Sequence, residues 1–528
     1  MKEPAALVPL PQQLTPLEGA VLRYGPEPRV VVPSDDLRGL GEVVIDLLKR
    51  LHGVDPVLQV GGEGELRLVL EPESKPTDLV DVKGIDPLDG RPGEAGVRER
   101  YELAVGERGA VVTASSAEGL FRGATTFAQL LRKDTAGGSV APAVRVADGP
   151  AMAWRGLSLD VVRRFFTVDQ VKKVIDLLAL YKFNVLHLHL TDSQAWRLEI
   201  GAWPLLTSGS DRPYYTQDDY RELVAYAAAR FITVVPELDM PGHVLSAVRA
   251  YPELQGADAP VHKLLAYLDP RAEVTFRFVQ DVLDELVALT PGPYLHLGGD
   301  EAFGMPDELY AMFVARALEI ARGTGKKVVA WQEASRSGAL APRDVAQAWI
   351  GFGDEFDADA ARERIPAEYH PLVDSMAAAF AQSAHDVPAA VEAGAAVLAS
   401  ASSFLYLDRR YAEDSLLPGQ TTRRTEVGHD SYPVRTCREL FDWRPDTLGE
   451  IPAGARLAGV EAAIWGESIK DFDDLAFLLL PRLPGIAEKA WTPSATEWDD
   501  YRDRLSGHQA WWDRLGWDGY YRSTELFG

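Results

Sequence analysis

The amino-acid sequence predicts an α/β fold class: a (β/α)8 TIM barrel preceded by a small α+β domain and followed by a short helical tail. Three observations support this prediction. Eight short apolar runs follow one another after residue 150, helical segments separate most of them, and the pattern before residue 150 is different. Because strands that alternate with helices pair in parallel, eight such units close into a barrel.

The first part of the chain contains short alternating runs such as ELRLVLE and YELAVGERGAVVTA, together with two helical stretches near residues 37–52 and 116–132. Alternation of apolar and polar residues is typical of strands with one buried face. We therefore predict a small α+β domain over residues 1–149, which ends where Gly149-Pro150 interrupts the pattern.

Residues 150–495 contain the eight predicted barrel strands, which are RGLSLDV, NVLHLHL, FITVVPELD, YLHLGG, KKVVAW, DVAQAW, AAVLAS and LAGVEAAIW. The first barrel helix is predicted after Thr167, because Gln170 completes a capping box and apolar residues then recur at helical spacing. A second helix is predicted to begin in the same way at Thr216. These helices would return the chain from one parallel strand to the next.

Two other segments differ from the simple alternation. The stretch from Asp357 to Ala393 connects the sixth and seventh strands and is long for such a connection, so we predict a helix plus an inserted loop there. Residues 496–528 are rich in tryptophan, and we predict that they form a helical tail packed on the barrel.

The composition excludes several classes of function. The 79 acidic and 54 basic residues give a formal net charge of -25, which repels phosphate backbones and anionic lipids, so we expect no nucleic-acid or membrane partner. The single cysteine, Cys437, excludes an internal disulfide bond and a cysteine-based metal site. Prolines and charges interrupt MKEPAALVPLPQQL, where a signal peptide would be apolar. We therefore expect a cytoplasmic protein, or a secreted one if a leader has been removed.

Polar and aromatic side chains are dense at the predicted C-terminal ends of the barrel strands, where barrel enzymes have their active sites. The charged ones are Asp160, Arg163, Asp192, Glu237, Asp239, His243, Asp300, Glu301, Asp408 and Glu467, and the aromatic ones are Trp331, Trp349, Tyr406 and Trp465. Carboxylates bind sugar hydroxyls and aromatic faces stack on the apolar side of a sugar ring. Without a cofactor-binding loop, this set predicts a glycosidase that needs no cofactor.

Asp300 and Glu301 are adjacent, which is a difficulty for the usual scheme with two carboxylates. Ordinary retaining glycosidases place these groups about 5 Å apart on opposite sides of the scissile bond, and neighbours in sequence rarely flank a sugar in this way. A second carboxylate beside the acid is better suited to hold the N–H of a substrate amide. The pair therefore favours a mechanism in which the substrate's own acetamido group is the nucleophile.

Four motifs, WRGLSLDVVRRFF, NVLHLHLTDSQAW, VVPELDMPGH and YLHLGGDEA, occur in this order, and VEAAIWGES and LPRLPGIAEKAW follow near the end. The chain resembles the family 20 glycoside hydrolases over nearly its whole length. This resemblance implies an exo-acting, retaining β-N-acetylhexosaminidase that acts on glycans with a terminal N-acetylhexosamine.

The resemblance also implies roles for particular residues. Glu301 would be the general acid and base, Asp300 would orient the acetamido nitrogen, and Tyr406 would bind the acetamido oxygen. The implied aromatic walls are Trp331, Trp349 and Trp465. The residues implied to bind sugar hydroxyls are Arg163, Asp408 and Glu467, and those implied to tune the proton of the acid are Asp192 and His243.

Two positions depart from the family pattern. Arg164 stands where the family frequently has histidine, and Ser193 stands where the family frequently has a second acid. The sequence does not distinguish N-acetylglucosamine from N-acetylgalactosamine, nor does it predict the linkage or the oligomeric state.

Two alternative functions follow from other features of the sequence. His187 and His189 alternate on the second strand, as in metal-dependent amidohydrolases, but tryptophans stand where more histidine ligands would be expected. We therefore predict no metal site and expect these histidines to form hydrogen bonds inside the barrel. A barrel of this kind that binds sugar without catalysis would be expected to lack the acid, whereas Glu301 is present.

Overall fold

The structure is a computed structural model, and it describes residues 6–18, 21–25, 27–88, 95–133, 138–209, 211–255, 265–351, 356–445, 448–494 and 496–528. Within these ranges, no helix combines the length and the apolar character that crossing a membrane requires.

The N-terminal part forms a mixed sheet with two long helices. Its elements are β1 (Gln13–Pro16), β2 (Leu22–Tyr24), β3 (Arg29–Val32), α1 (Arg38–His52), β4 (Val57–Val60), β5 (Leu66–Leu70), α2 (Ala95–Glu99), β6 (Tyr101–Gly106), β7 (Gly109–Ala114), α3 (Ala117–Leu130), β8 (Arg132–Lys133), β9 (Ser139–Ala141) and β10 (Val144–Asp148). Among the described residues, the larger sheet has seven strands in the order β1-β10-β6-β7-β5-β3-β4. Buried and exposed residues alternate along β6 and β7, as the sequence predicted for this small α+β domain.

Helix α3 lies between this sheet and the barrel. Its residues from Glu118 to Leu130 are all buried, because one side packs on the sheet and the other side contacts the barrel. Gln129 donates to the carbonyl oxygen of Leu180 at 2.9 Å, and Arg122 donates to that of Phe183 at 3.4 Å. Leu120 and Phe127 of α3 belong to the same buried apolar cluster as Leu178 of α4, so the two parts of the chain share one core across α3.

The eight predicted barrel strands are confirmed, and in the described residues they close into one parallel barrel. They are β11 (Trp154–Asp160), β12 (Val185–His189), β13 (Thr233–Glu237), β14 (Tyr294–His296), β15 (Lys327–Trp331), β16 (Val345–Ala348), β17 (Ala396–Ala399) and β18 (Leu457–Ile464). One face of each strand points into the barrel and the other lies under helices, which explains why the strands are almost continuously apolar.

The connections between the strands are mostly helical. The helices are α4 (Val168–Leu180), α5 (Leu205–Ser208), α6 (Gln217–Ala228), α7 (Leu245–Ala250), α8 (Glu273–Leu289), α9 (Asp307–Gly323), α10 (Ala358–Arg364), α11 (His370–Gln382), α12 (Asp386–Glu392), α13 (Ser402–Leu405), α14 (Pro418–Arg423), α15 (Phe472–Leu479) and α16 (Leu483–Trp491). Capping boxes begin α4 at Thr167 and α6 at Thr216, as predicted.

The connection from Asp357 to Ala393 differs from the prediction of one helix with an inserted loop. It consists of α10, α11 and α12, joined by short 3-10 turns. Alanine is frequent in this segment, which favours helix throughout.

The C-terminal tail contains the predicted helices, which are α17 (Trp498–Leu505), α18 (Gln509–Arg514) and α19 (Thr524–Phe527). Trp511, Trp512 and Trp517 are buried, as expected for tail residues that pack on the rest of the chain.

Candidate active site

The loops that follow the C-terminal ends of the barrel strands enclose a cavity of about 550 Å³. All residues to which the family resemblance gave a role line this cavity except Trp331; those that line it are Arg163, Asp192, His243, Asp300, Glu301, Trp349, Tyr406, Asp408, Trp465 and Glu467. Asp160 and Glu237, which also stand at strand ends, are buried and do not line it. The fold thus brings together side chains that follow seven different strands.

Two other groups of cavity residues were not predicted from the sequence. The segment around α10 and α11 contributes Phe356, Asp357, Arg364, Met376 and Phe380, and the long segment between α14 and β18 contributes His429, Asp430, Ser431 and Tyr432. The unusual length of the connection between the sixth and seventh strands could have indicated that the first group reaches the cavity. The second group lies in a stretch with neither a motif nor a helical or alternating pattern.

Two glycines shape the loop that carries Asp300 and Glu301. Gly298 has a φ of 68°, and a Cβ atom there would lie 1.7 Å from Oδ1 of Asp239. The amide of Gly299 donates to this same oxygen at 3.1 Å. The glycines therefore let the loop turn directly against Asp239, which explains why the strand-four motif LHLGGDEA carries them before the two acids.

Glu301 itself has a φ of 47°. This left-handed conformation costs a residue other than glycine on the order of 1–3 kcal/mol and occurs preferentially at functional sites, where the surrounding structure holds it. The side chain of Glu301 is 29% exposed, so it can meet a ligand in the cavity.

His243 connects both acids to Asp192. Its Nδ1 lies 3.1 Å from Oδ2 of Asp192, and its Nε2 lies 3.5 Å from Oε2 of Glu301 and 3.7 Å from Oδ2 of Asp300. Burial lowers the pKa of His243, but the charges of Asp192, Asp239 and Asp300 raise it well above its usual value. The neighbouring acids therefore favour the protonated form of His243, which faces both carboxyl groups.

Asp300 is the more enclosed of the two acids. Burial, and then the charge of Asp239, raises the pKa of Asp300 well above its usual value. Oδ1 of Asp300 is buried and accepts no hydrogen bond from the described residues. Because buried polar atoms normally have a partner, this oxygen is available to an N–H group of a ligand.

Trp349, Tyr406 and Trp465 form an aromatic wall of the cavity. The rings of Trp349 and Tyr406 are nearly parallel, with an angle of 10° and 6.4 Å between centroids, and Trp465 meets Tyr406 edge-on at 5.8 Å. Burial raises the pKa of Tyr406 well above its usual value, so its hydroxyl group keeps its proton and can donate a hydrogen bond.

Trp331 lies against Trp465, with 6.0 Å between ring centroids, but it is 0% exposed. Its Nε1 donates to Oε1 of Glu237 at 2.8 Å. Trp331 therefore belongs to the barrel interior and is not on the cavity surface, which differs from the wall position that the sequence suggested.

Arg163, Asp408 and Glu467 form a polar group in the same cavity. Nη2 of Arg163 lies 2.6 Å from Asp192 and 3.7 Å from Glu467. Both carboxylate oxygens of Asp408 are buried and accept no hydrogen bond of normal geometry from the described residues, although the main-chain amides of Asp408 and Trp465 interact weakly with the carboxyl group. Burial, and then the charge of Glu467, raises the pKa of Asp408 to about 8. These unsatisfied oxygens are suited to bind hydroxyl groups.

The replacement Asp408→Asn is expected to raise the melting temperature more at pH 8 than at pH 5. The pKa of Asp408 is about 8 in the folded chain and about 3.9 in an unfolded chain, so between these values the folded state binds more protons. Stability of the wild-type chain therefore falls as the pH rises from about 4 to about 8, and asparagine removes this loss. Thermal unfolding at both pH values measures the difference.

The exposed Asp284→Asn variant is the control for this prediction. An equal gain in melting temperature at both pH values for Asp408→Asn would contradict the raised pKa assigned to Asp408.

The histidines inside the barrel form hydrogen bonds with acids, as predicted. His187 lies 2.8 Å from Glu461 and 3.1 Å from Glu237 through its two ring nitrogens. His189 lies 2.5 Å from Glu237 and 3.1 Å from Asp192. Ring nitrogens of these histidines and carboxylate oxygens beside them lie within 4.8 Å of one another, which is close enough to hold a metal ion. Since both nitrogens of each ring already face carboxylates, we assign the histidines to this buried network.

Comparisons with known proteins agree with this geometry. Residues 152–494 match the sequence model of the glycosyl hydrolase family 20 catalytic domain, and residues 5–149 match that of the same family's domain 2.

Several relatives are similar over nearly the whole chain. The Beta-N-acetylhexosaminidase of Cellulomonas fimi is 36% identical and covers 97% of this chain and 95% of its own length. The structure of Streptomyces plicatus N-acetyl-beta-hexosaminidase in complex with Thio-NAglucal has a TM-score of 0.80 and 33% identity, over 99% of this chain and 97% of that one. The GH20 beta-N-acetylhexosaminidase from Streptomyces coelicolor A3(2) has a TM-score of 0.79 and 34% identity, over 99% and 98%.

Proposed function

Because this chain belongs to glycosyl hydrolase family 20, we propose that it is an exo-acting β-N-acetylhexosaminidase. It removes terminal N-acetylglucosamine or N-acetylgalactosamine from the non-reducing ends of glycans, with retention of configuration. The acetamido group of the substrate is the nucleophile, and the intermediate is an oxazolinium ion. The relatives named above support the hydrolase activity, and the contacts in the cavity support the mechanism.

The observation that carries this proposal is the pairing of Asp300 and Glu301 at one point of the cavity. Oxygens of both residues lie within 4.8 Å of each other and of a ring nitrogen of His243. Carboxylates that act as acid and nucleophile stand on opposite sides of the scissile bond, which two successive residues do not readily do. The nucleophile is therefore better supplied by the substrate.

In the first step, the acetamido oxygen attacks the anomeric carbon and the bond to the leaving oxygen breaks. Glu301 gives its proton to this oxygen. The hydroxyl group of Tyr406 donates to the acetamido oxygen and orients it. Positive charge develops on the acetamido nitrogen as the ring closes. This charge, and the N–H that Asp300 accepts, favour the ionised form of Asp300 against the burial and the charge of Asp239 that raise its pKa. The carboxylate then stabilises the charge on the nitrogen.

In the second step, water attacks the anomeric carbon and the bond to the acetamido oxygen breaks. Glu301, now a carboxylate, takes a proton from this water. His243, which is paired with Asp192, lies 3.5 Å from Glu301 and stabilises the carboxylate form. Two displacements at one carbon give net retention.

Arg163, Asp408 and Glu467 bind the hydroxyl groups of the terminal sugar, and Trp349 and Trp465 enclose its acetamido group and apolar face. The enclosed cavity favours removal of one sugar from a chain end over cleavage within a chain. Asp408 and Glu467 offer acceptors to either epimer at C4, so we propose activity on both N-acetylhexosamines.

Asp300→Asn and Tyr406→Phe are each expected to lower kcat by about 100-fold or more, as for other groups that stabilise charge only in the transition state, and to change KM little. The reason is that charge on the acetamido group appears only as its oxygen attacks. Steady-state kinetics with a nitrophenyl N-acetylglucosaminide separates the two parameters. The exposed Asp284→Asn variant on α8 should match the wild type. A change confined to KM in either site variant would mean that the assigned role is wrong.

A further inference from the structure

Glu333 is a buried carboxyl group near the site that has no role in the reaction described above. It belongs to the 3-10 helix Gln332–Ser337, directly after β15, and is 5% exposed. Its carboxyl group contacts the ring of Trp349, which forms part of the aromatic wall.

The contacts of Trp349 involve both its ring and its main chain. Nε1 of Trp349 donates to the two oxygens of Glu333 at 3.1 and 3.0 Å. The neighbouring Gln332 accepts the main-chain amides of Trp349 and Ile350 through Oε1, at 3.1 and 3.3 Å. Two successive residues therefore hold both the backbone and the indole of Trp349.

Among the residues that the structure describes, Glu333 forms no salt bridge. Arg336 is nearby, but its guanidinium group binds Asp386 at 2.8 and 2.7 Å. Burial, and then the charges of Asp300 and Asp386, raises the pKa of Glu333 well above its usual value. The carboxyl group accepts the indole N–H whether it is neutral or ionised, so the contact with Trp349 does not depend on the charge of Glu333.

The indole that Glu333 holds lies parallel to the ring of Tyr406. Any rotation of the indole would change the width of the space left for the acyl group. We propose that Glu333 is a positioning residue that fixes the ring of Trp349 and thereby restricts the substrate's acyl group to acetyl. This inference rests on the proposed N-acetylhexosaminidase activity.

The test compares kcat/KM for a nitrophenyl N-acetylglucosaminide and its N-propionyl analogue, which is one methylene longer. A pocket that rejects one methylene discriminates by about 10- to 200-fold, and we expect this preference in the wild type. Glu333→Gln, which keeps a neutral acceptor, should preserve the ratio to within about threefold, whereas Glu333→Leu should reduce it by about tenfold or more and lower kcat for the acetyl substrate.

A matched control removes a similar contact far from the cavity. Oδ2 of Asp281 accepts a hydrogen bond from Nε1 of Trp203 at 3.1 Å. Asp281→Leu therefore also deprives an indole of its carboxylate partner, and it should leave the acyl preference unchanged. A loss of acyl preference in this control would overturn the specific role of Glu333.

A double-mutant cycle separates positioning from general damage to the fold. In a Trp349→Phe background the indole N–H is absent, so adding Glu333→Leu should change the acyl ratio no further. If Glu333→Leu does not give the wild-type circular dichroism spectrum, Glu333→Asp, which shortens the side chain by one methylene, takes its place. The inference would be overturned if the Glu333 variant kept the wild-type ratio of kcat/KM for the acetyl and propionyl substrates. Additive effects of the Glu333 and Trp349 substitutions in the cycle would overturn it as well. An inactive wild type would instead contradict the proposed function.

Discussion

The wild-type protein is expected to hydrolyse N-acetylhexosaminides at least about 10,000 times faster than the matching glucosides, because removal of the acetamido group removes the nucleophile. Well-oriented intramolecular groups reach effective molarities on the order of 10⁵ M or more. Loss of packing by the acetyl methyl group would cost only about 1 kcal/mol, or roughly fivefold in rate. Parallel assays with nitrophenyl N-acetylglucosaminide and nitrophenyl glucoside measure the ratio.

Two further measurements address the same mechanism. The first-formed product should have the β configuration by NMR, and a thiazoline that resembles the cyclic intermediate should inhibit tightly. Glucoside turnover within tenfold of the N-acetyl substrate, or an inverted first product, would exclude substrate assistance.

Glu301→Gln should slow hydrolysis of an alkyl N-acetylglucosaminide by about 100- to 10,000-fold, which is the usual contribution of general acid catalysis. A nitrophenyl leaving group departs without a proton, so its glycosylation step should be affected much less. Kinetics with both leaving groups, including a pre-steady-state measurement for the nitrophenyl substrate, tests this difference.

Glu308→Gln is the matched control for this variant, because Glu308 is exposed on α9, seven positions after Glu301. It should retain full activity on both substrates. Equal losses for the two leaving groups in Glu301→Gln would argue against Glu301 as the acid.

The barrel could be predicted from the sequence because its strands are buried on both faces. Such strands consist of short apolar runs, for example Val185–His189. The helix starts at Thr167 and Thr216 were predictable for a different reason, since a capping box is a local contact between residues three positions apart. Asp300 and Glu301 could be placed at the mouth because the order of strand and loop fixes which end of the barrel they reach.

Other features depend on contacts between distant parts of the chain. Tyr432 lines the cavity although it follows no strand, and its segment has no period that indicates a structure. Trp331 stands at a strand end, yet its ring points to Glu237 inside the barrel. The hydrogen bonds between Glu333 and Trp349 join the ends of two neighbouring strands, and no local pattern in the sequence encodes them.

Helix α3 has a consequence for how the chain could be divided. Because it is buried from Glu118 to Leu130, cutting the chain after the small domain would strip the barrel of a covering layer and expose apolar surface on both fragments. The small domain and the barrel have separate sheets, but the surfaces with which they meet are apolar and are covered only when both parts are present. A truncated barrel would therefore be a poor starting point for engineering, and domain exchange within the family would have to carry α3 together with the barrel residues that it contacts.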